Sequence, residues 1–343
     1  MTRKAPSFWW RPHGGLATLA LWPAARVWSM ASAWRMMRPP TYRPPVPVIC
    51  VGNFVVGGAG KTPTAIALAR IARGRGLKPG LLASGYGGRE AGPLLVDPSL
   101  HNADRVGDEP LLLAAAGPTV VASDRAAGAR RLVEEGVDLI IMDDGFQNPS
   151  IAKDLSVVVV DAAVGIGNGC VLPAGPLRAP LALQLRRTDV LLVIGEGAAA
   201  EPLVRAAARS GRGTLRGHLR PTKVREWRKH PILAFAGIGR PEKFFATLAG
   251  AHAPVSRTVS FSDHHRYTDA EAAELLAAAE AKNLRLVTTE KDLVRLAGRD
   301  GAAGRLHEKA EALQVMLEFE NMTAIGETID AAVRAGRPRK SLD

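Results

Sequence analysis

Cysteine is scarce in this chain. Cys50 and Cys170 stand far apart among 343 residues and match no zinc or redox spacing. A disulfide scaffold is therefore excluded, and buried thiols in a reducing compartment are expected. No run of 18 residues is apolar and free enough of charge to span a bilayer cleanly, which excludes a polytopic membrane protein. Internal repeats, low-complexity segments, zinc fingers and RNP motifs are also lacking, so nothing directs the net charge of +12 toward nucleic acid. Most pointed is the lack of acid at the start. Residues 1–45 hold Arg3, Lys4, Arg11, Arg26, Arg35, Arg38 and Arg43 and no Asp or Glu.

That segment also carries five of the six tryptophans: Trp9, Trp10, Trp22, Trp28 and Trp34. Indole rings and arginines without acids suit a lipid–water boundary, where apolar bodies sink and polar edges stay wet. Leu16–Leu21 is an apolar run, and Pro23 suits the first turn of a helix. From there Val27, Met30, Ala31, Trp34 and Met37 recur at helical spacing. The expected helix, 23–37, would be about 22 Å long, short for a span and adequate for lying in the interface. A helix packed on the protein or on a partner, or a cleaved signal peptide, would use similar residues.

Beyond the proline-rich connector at 39–47, continuously apolar runs alternate with helical stretches. The runs are Val48–Val51, Leu81–Ala83, Thr119–Ala122, Leu139–Met142, Val157–Val160 and Val190–Ile194. Strands without polar alternation are buried on both faces, as in a parallel sheet, so the expected class is α/β with ligands at the carboxyl ends of strands. After a less regular stretch at 205–230, the runs 232–236, 255–261, 285–288 and 314–319 suggest a second unit. The expected organisation is a basic, aromatic arm (1–45), a P-loop NTPase-like core with a mostly parallel sheet (46–225) and a smaller α/β domain (226–343).

The first strand runs into Gly57-Gly58-Ala59-Gly60-Lys61-Thr62-Pro63, and a helix follows. This is the layout of a phosphate-binding loop. Glycines let backbone N–H groups converge on phosphate oxygens. Lys61 would neutralise the β- and γ-phosphates of ATP, and Thr62 would place its hydroxyl on Mg²⁺. The stricter pattern has glycine where Val55 stands. The run Leu139–Met142 ends in Asp143 and Asp144, which cannot both point the same way from an extended strand. One can hold the Mg²⁺ shell, and the other can face the substrate or the loop lysine. Asp108 and Glu109, at an expected loop, and Asp263-His264-His265 are further candidates. An acid on the loop could receive the acceptor's proton or simply face solvent, and the histidines could likewise be merely exposed.

Taken in order, the motifs resemble the bacterial tetraacyldisaccharide 4'-kinases of lipid A biosynthesis over almost the whole chain. Matching stretches include Val51-Gly-Asn53, Gly57–Pro63, Gly85-Tyr-Gly-Gly88, Gly107-Asp-Glu-Pro110 and Met142-Asp-Asp-Gly-Phe-Gln147. Others are Leu172-Pro-Ala-Gly-Pro-Leu-Arg178, Ala236-Gly-Ile-Gly-Arg-Pro241, Asp263-His264 and Thr288-Thr-Glu-Lys-Asp292. The resemblance implies transfer of the γ-phosphate of ATP, with Mg²⁺, to the 4'-hydroxyl of a lipid A disaccharide 1-phosphate. It implies Asp108 as the catalytic carboxylate with His264 as its partner, alongside Lys61. Thr62, Glu109 and Asp143 would serve the metal, and Arg178, Asp144 and Asn53 the substrate. It also implies a place on the cytoplasmic face of the inner membrane, against anionic lipid, with no protein partner indicated. Two positions depart from the family pattern. Ala83-Ser84 stand where Ser-Arg is usual, and Ala179 stands where Glu is frequent. The competing reading is a P-loop ATPase of the partitioning or metallochaperone type, many of which carry a lysine where Val56 stands.

Overall fold

The computed structural model describes residues 5–11, 14–222 and 224–336. Arg3 and Lys4 of the basic arm lie outside them. A 3₁₀ turn at Ser7–Trp10 precedes helix α1 (Leu16–Met37). The core then runs β1 (Val48–Asn53), α2 (Lys61–Gly74), β2 (Pro79–Ala83), β3 (Leu94–Leu95), α3 (Ala103–Val106), α4 (Asp108–Ala114), β4 (Thr119–Val121) and α5 (Arg125–Glu134). It continues through β5 (Leu139–Asp143), β6 (Leu155–Asp161), α6 (Leu181–Arg186), β7 (Val190–Ile194), α7 (Glu201–Arg209) and β8 (Gly213–Pro221).

The smaller lobe follows as β9 (Ile232–Ala236), α8 (Pro241–Gly250), β10 (Val255–Ser260), α9 (Asp269–Glu280), β11 (Arg285–Thr289), α10 (Glu290–Leu296), α11 (Gly301–Lys309) and β12 (Ala310–Leu313). The chain then returns to the core with β13 (Val315–Phe319) and α12 (Met322–Gly336).

The large sheet has the order β13-β8-β7-β6-β1-β5-β2-β4-β3, antiparallel only at its two edge pairs. Strands β1, β2, β5, β6 and β7 are buried along their whole length, as their unbroken apolar runs require. Separate cores fill the two faces, one under α2 and α12, the other under α5 and α7. The small sheet, β10-β9-β11-β12, is wholly parallel. Helix α9 opens with the capping box Thr268–Glu271, which satisfies two of the N–H groups a helix start leaves unpaired.

Three expectations need correction. The run 314–319 does not belong to the smaller unit: β13 pairs antiparallel with β8, and Leu317 and Phe319 join the core under α2. Strand β8 itself lies in the stretch that reads as irregular, because its side chains are mostly half-buried and arginine-rich. Helix α1 begins at Leu16 rather than at Pro23, which sits exposed inside it. A proline there forgoes one backbone hydrogen bond, and its ring leaves the protein-facing side undisturbed.

Candidate active site

The register of the sheet brings the phosphate loop and the acidic strand together. Val51 of β1 is level with Asp143 of β5, so the carboxylate emerges beside the loop that β1 feeds. Gly57 and Gly60 have φ of 111° and 96°, a region where glycine carries no steric penalty. Lys61 and Thr62 open α2 and are buried. The Lys61 ammonium points back over the loop, 3.5 Å from the Gly57 carbonyl and 3.7 Å from Asp144 Oδ2. Burial lowers its pKa, and the Asp144 charge opposes that shift. Asn53 Nδ2 donates to the same Gly57 carbonyl at 3.1 Å, which braces the loop from within.

Asp143 and Asp144 do diverge. Asp143 accepts from the Thr62 hydroxyl at 3.0 Å through Oδ2, while its Oδ1 is buried without a partner. Burial, followed by the Glu109 charge, pushes this carboxyl up to about 7. A carboxylate oxygen so placed, beside a threonine hydroxyl at a phosphate loop, has the chemistry to hold a divalent cation. Among the described residues no three His, Cys, Asp or Glu side chains form a protein-only cage. Mg²⁺ in nucleotide sites takes one or two carboxylates and fills its shell from phosphates and water, a demand that Asp143 and Thr62 could meet.

Asp144 adopts the left-handed backbone conformation, φ 52°, which turns its side chain away from that of Asp143. Arg178 grips it with two parallel bonds of 2.7 and 3.1 Å and donates from Nε to the Val55 carbonyl at 3.1 Å. Arg178 therefore links the acidic strand to the phosphate loop. Gln147 Nε2 donates to the Asn53 carbonyl at 2.7 Å and completes this wall.

The first turn of α4, in the core, and the facing residues of the second lobe supply the rest. Gly107-Asp108-Glu109 is a helix start rather than a loop, with Gly107 at φ 88°. Asp108 is buried, not solvent-facing. Its Oδ2 lies 3.4 Å from His264 Nδ1 and accepts from Arg295 Nε at 2.9 Å. Burial alone would raise this carboxyl, yet the His264 bond and the Arg295 and Lys291 charges hold it well below the usual carboxylate range. Glu109 is paired with Lys291 at 2.6 Å.

His264 has φ of 53° and lines the same cleft as the phosphate loop, with Tyr86 edge-on to its ring. His265 turns inward instead, stacking on Phe261 and contacting Glu271 at 3.0 Å. Of the two histidines, His264 is the one that approaches Asp108. Glu109, Asp144 and Arg178 share the cleft wall with Gly57–Pro63 and His264, whereas Asp108, Asp143 and Asn53 stand just behind it.

Several charged groups at the site had no role assigned from sequence. Lys291 and Arg295 lie one turn apart on α10 and face the adjacent acids Asp108 and Glu109. Their i, i+4 spacing was the available signal. Arg240 and Lys243 reach across the cleft to buried Asp161, at 3.0 and 2.9 Å. Arg125, at the start of α5, is a buried cation on the cleft wall.

A family model described as Tetraacyldisaccharide-1-P 4'-kinase matches residues 17–334. Curated relatives named tetraacyldisaccharide 4'-kinase are similar throughout. The one from Allorhizobium ampelinum is 50% identical over 97% of this chain and 98% of its own length. The one from Sinorhizobium fredii is 48% identical over 99% and 98%. Among solved structures, the "apo" form of LpxK from Aquifex aeolicus in complex with ATP has the same fold. It has a TM-score of 0.73 and 24% identity, and the match covers 93% of this chain and all of that one. With its loop, its paired acids and its cleft between two lobes, this chain belongs to the tetraacyldisaccharide-1-phosphate 4'-kinase family.

Proposed function

We infer that the protein transfers the γ-phosphate of ATP to the 4'-hydroxyl of a tetraacyldisaccharide 1-phosphate, as its family name describes. One observation carries the reading of the site. The phosphate loop, the diverging pair Asp143 and Asp144, and the pair Asp108–His264 meet at one cleft between two lobes. Phosphoryl transfer asks a protein chiefly for positioning and charge stabilisation, and each group has a task in that scheme. The loop amides and Lys61 hold the triphosphate. Thr62 and Asp143 would hold Mg²⁺, and Glu109, whose charge acts on Asp143, would serve the same ion. When bound, the ion neutralises charge on the β- and γ-phosphates.

Arg178 and Asp144 orient the sugar and the transferred group, with Asn53 supporting the loop beneath them. His264 meets the acceptor hydroxyl and takes its proton. Asp108 stands behind His264 and stabilises the cation that forms. This is the division of labour a histidine backed by a buried carboxylate performs elsewhere. A partitioning-type ATPase has no use for the Asp108–His264 pair formed across the two lobes, and family membership decides against it.

The substrate's acyl chains stay in the bilayer, since extracting each CH₂ costs about 0.8 kcal/mol. The enzyme must therefore come to the surface. No described helix is long and apolar enough to cross a membrane. Helix α1 instead turns Leu16, Leu19, Val27, Met30, Trp34 and Met37 outward, all more than half exposed. Arg26 and Arg38 lie over the rings of Trp22 and Trp34, holding cations beside the apolar stripe. This face docks the enzyme on anionic lipid at the cytoplasmic side of the inner membrane, where ATP is available. The test is incubation with labelled ATP, Mg²⁺ and lipid A disaccharide 1-phosphate in detergent, followed by chromatography of the lipid. Label at the 4' position is expected. Unlabelled lipid with steady ATP hydrolysis would reject the assignment.

A further inference from the structure

Helix α1 and the turn before it are bolted to one segment of the core through two tryptophans, one of them, Trp28, half exposed, and that segment carries Arg178. Trp28 Nε1 donates to the Arg178 carbonyl at 3.0 Å. Trp9 Nε1 donates to the Pro173 carbonyl at 3.0 Å, and the Trp9 carbonyl accepts from Asn168 N at 2.7 Å. The fit is close. A Cβ on Gly167, whose φ is 60°, would come within 2.4 Å of the Trp9 carbonyl oxygen.

The other edge of the same segment holds the phosphate loop. Val56 N donates to the Pro176 carbonyl and Arg178 N to the Phe54 carbonyl, each at 2.9 Å. The Arg178 guanidinium then reaches Val55 and Asp144. Arg178 is thus held at its carbonyl by the arm, at its amide by the strand end, and at its guanidinium by the site. The backbone position of an arginine that must meet two partners within hydrogen-bond distance tolerates little drift, because misplacement of a clamp by about 1 Å can cost roughly 10²-fold in rate.

We propose that Trp28 is a positioning residue for phosphoryl transfer: its indole N–H fixes the Arg178 backbone, and through it the guanidinium that spans Val55 and Asp144. The docking helix is then part of the catalytic frame as well as an anchor. This deepens the kinase reading above and depends on it.

The experiment compares full-length Trp28→Phe with the parent. The variant keeps a ring and removes the donor. Lipid kinase kcat and KM are read in mixed micelles, together with ATP affinity and co-sedimentation with phosphatidylglycerol vesicles. A kcat about 3–10-fold lower is expected, the scale of one lost hydrogen bond, with lipid KM and vesicle recovery within about twofold of the parent. On an Arg178→Gln background the same change should add less than about twofold, since the residue it acts through is gone. Unchanged kcat overturns the proposal. So does a raised lipid KM that tracks lost vesicle binding, or an equal, independent loss on the Arg178→Gln background. Trp28→Met serves as a second variant should Trp28→Phe lower the unfolding temperature. A parent that never phosphorylates the lipid would sink the kinase reading itself, a result distinct from a parent and variant of equal rate.

Discussion

Arg295 Nε donates to Asp108 Oδ2 at 2.9 Å across the boundary between the two lobes. The bond joins the smaller lobe's α10 to the first turn of α4, one residue from Glu109. Together with Lys291 on Glu109, it ties the position of His264 to that of the acids it works with. Asp108 is held ionised, so its contribution is charge and orientation.

Asp108→Asn keeps the shape and removes the charge. Lipid kinase kcat should fall by about 10²–10⁴-fold, the usual worth of a proton-accepting system. ATP affinity should stay within a few-fold, because the phosphate loop is untouched. Turnover assays paired with equilibrium nucleotide binding check this, and full turnover would remove Asp108 from the mechanism.

The two histidines should separate cleanly. His264→Gln should lower kcat by about 10²-fold or more while the protein melts normally. His265→Gln should lower the melting temperature, because it removes the stacking on Phe261 and the Glu271 contact. Its kcat should change far less. Kinetics and thermal unfolding on both variants decide the matter, and a reversed pattern would shift the assignment to His265.

Asp143 gives a pH signature. Its folded carboxyl is pushed up to about 7 by burial and by Glu109, against an ordinary value of 3.8. The folded state therefore holds a proton that the unfolded chain has released. Stability associated with this group is full below about 3.8 and is lost as pH rises through about 7. Without Mg²⁺, Asp143→Asn should melt at a higher temperature than the parent at pH 8 and at the same temperature near pH 3.5. Its Mg²⁺-dependent activity should be lost. Calorimetry across pH tests the sign, and a variant less stable at pH 8 would contradict it.

The outward face of α1 should matter to lipid and not to nucleotide. Met30→Glu with Trp34→Glu places charge on two positions that are more than half exposed. Co-sedimentation with anionic vesicles should drop by about tenfold or more, given about 1 kcal/mol for each charge near such a surface and the lost apolar burial. ATP affinity should be unchanged. Equal vesicle recovery would reject the docking face.

What the sequence determined by itself was whatever is written contiguously. Gly57–Pro63 form the phosphate loop because a strand, glycines and a helix start adjoin along the chain, and the backbone there needs little outside help. Strands β1, β2, β5, β6 and β7 were legible because strands buried on both faces have unbroken apolar runs. Tertiary structure decided what depends on partners distant along the chain. It assigned β13 to the large sheet, since an edge strand's partner is set by β8 and not by its own residues. It turned His264 toward Asp108 and His265 toward Phe261 and Glu271, although the two are neighbours of identical chemistry. It buried Asp108 under Arg295 and drew Trp28 onto Arg178. Packing between lobes fixes those directions, and local sequence constrains them weakly because a side chain's orientation is chosen by what it can bury and bond against.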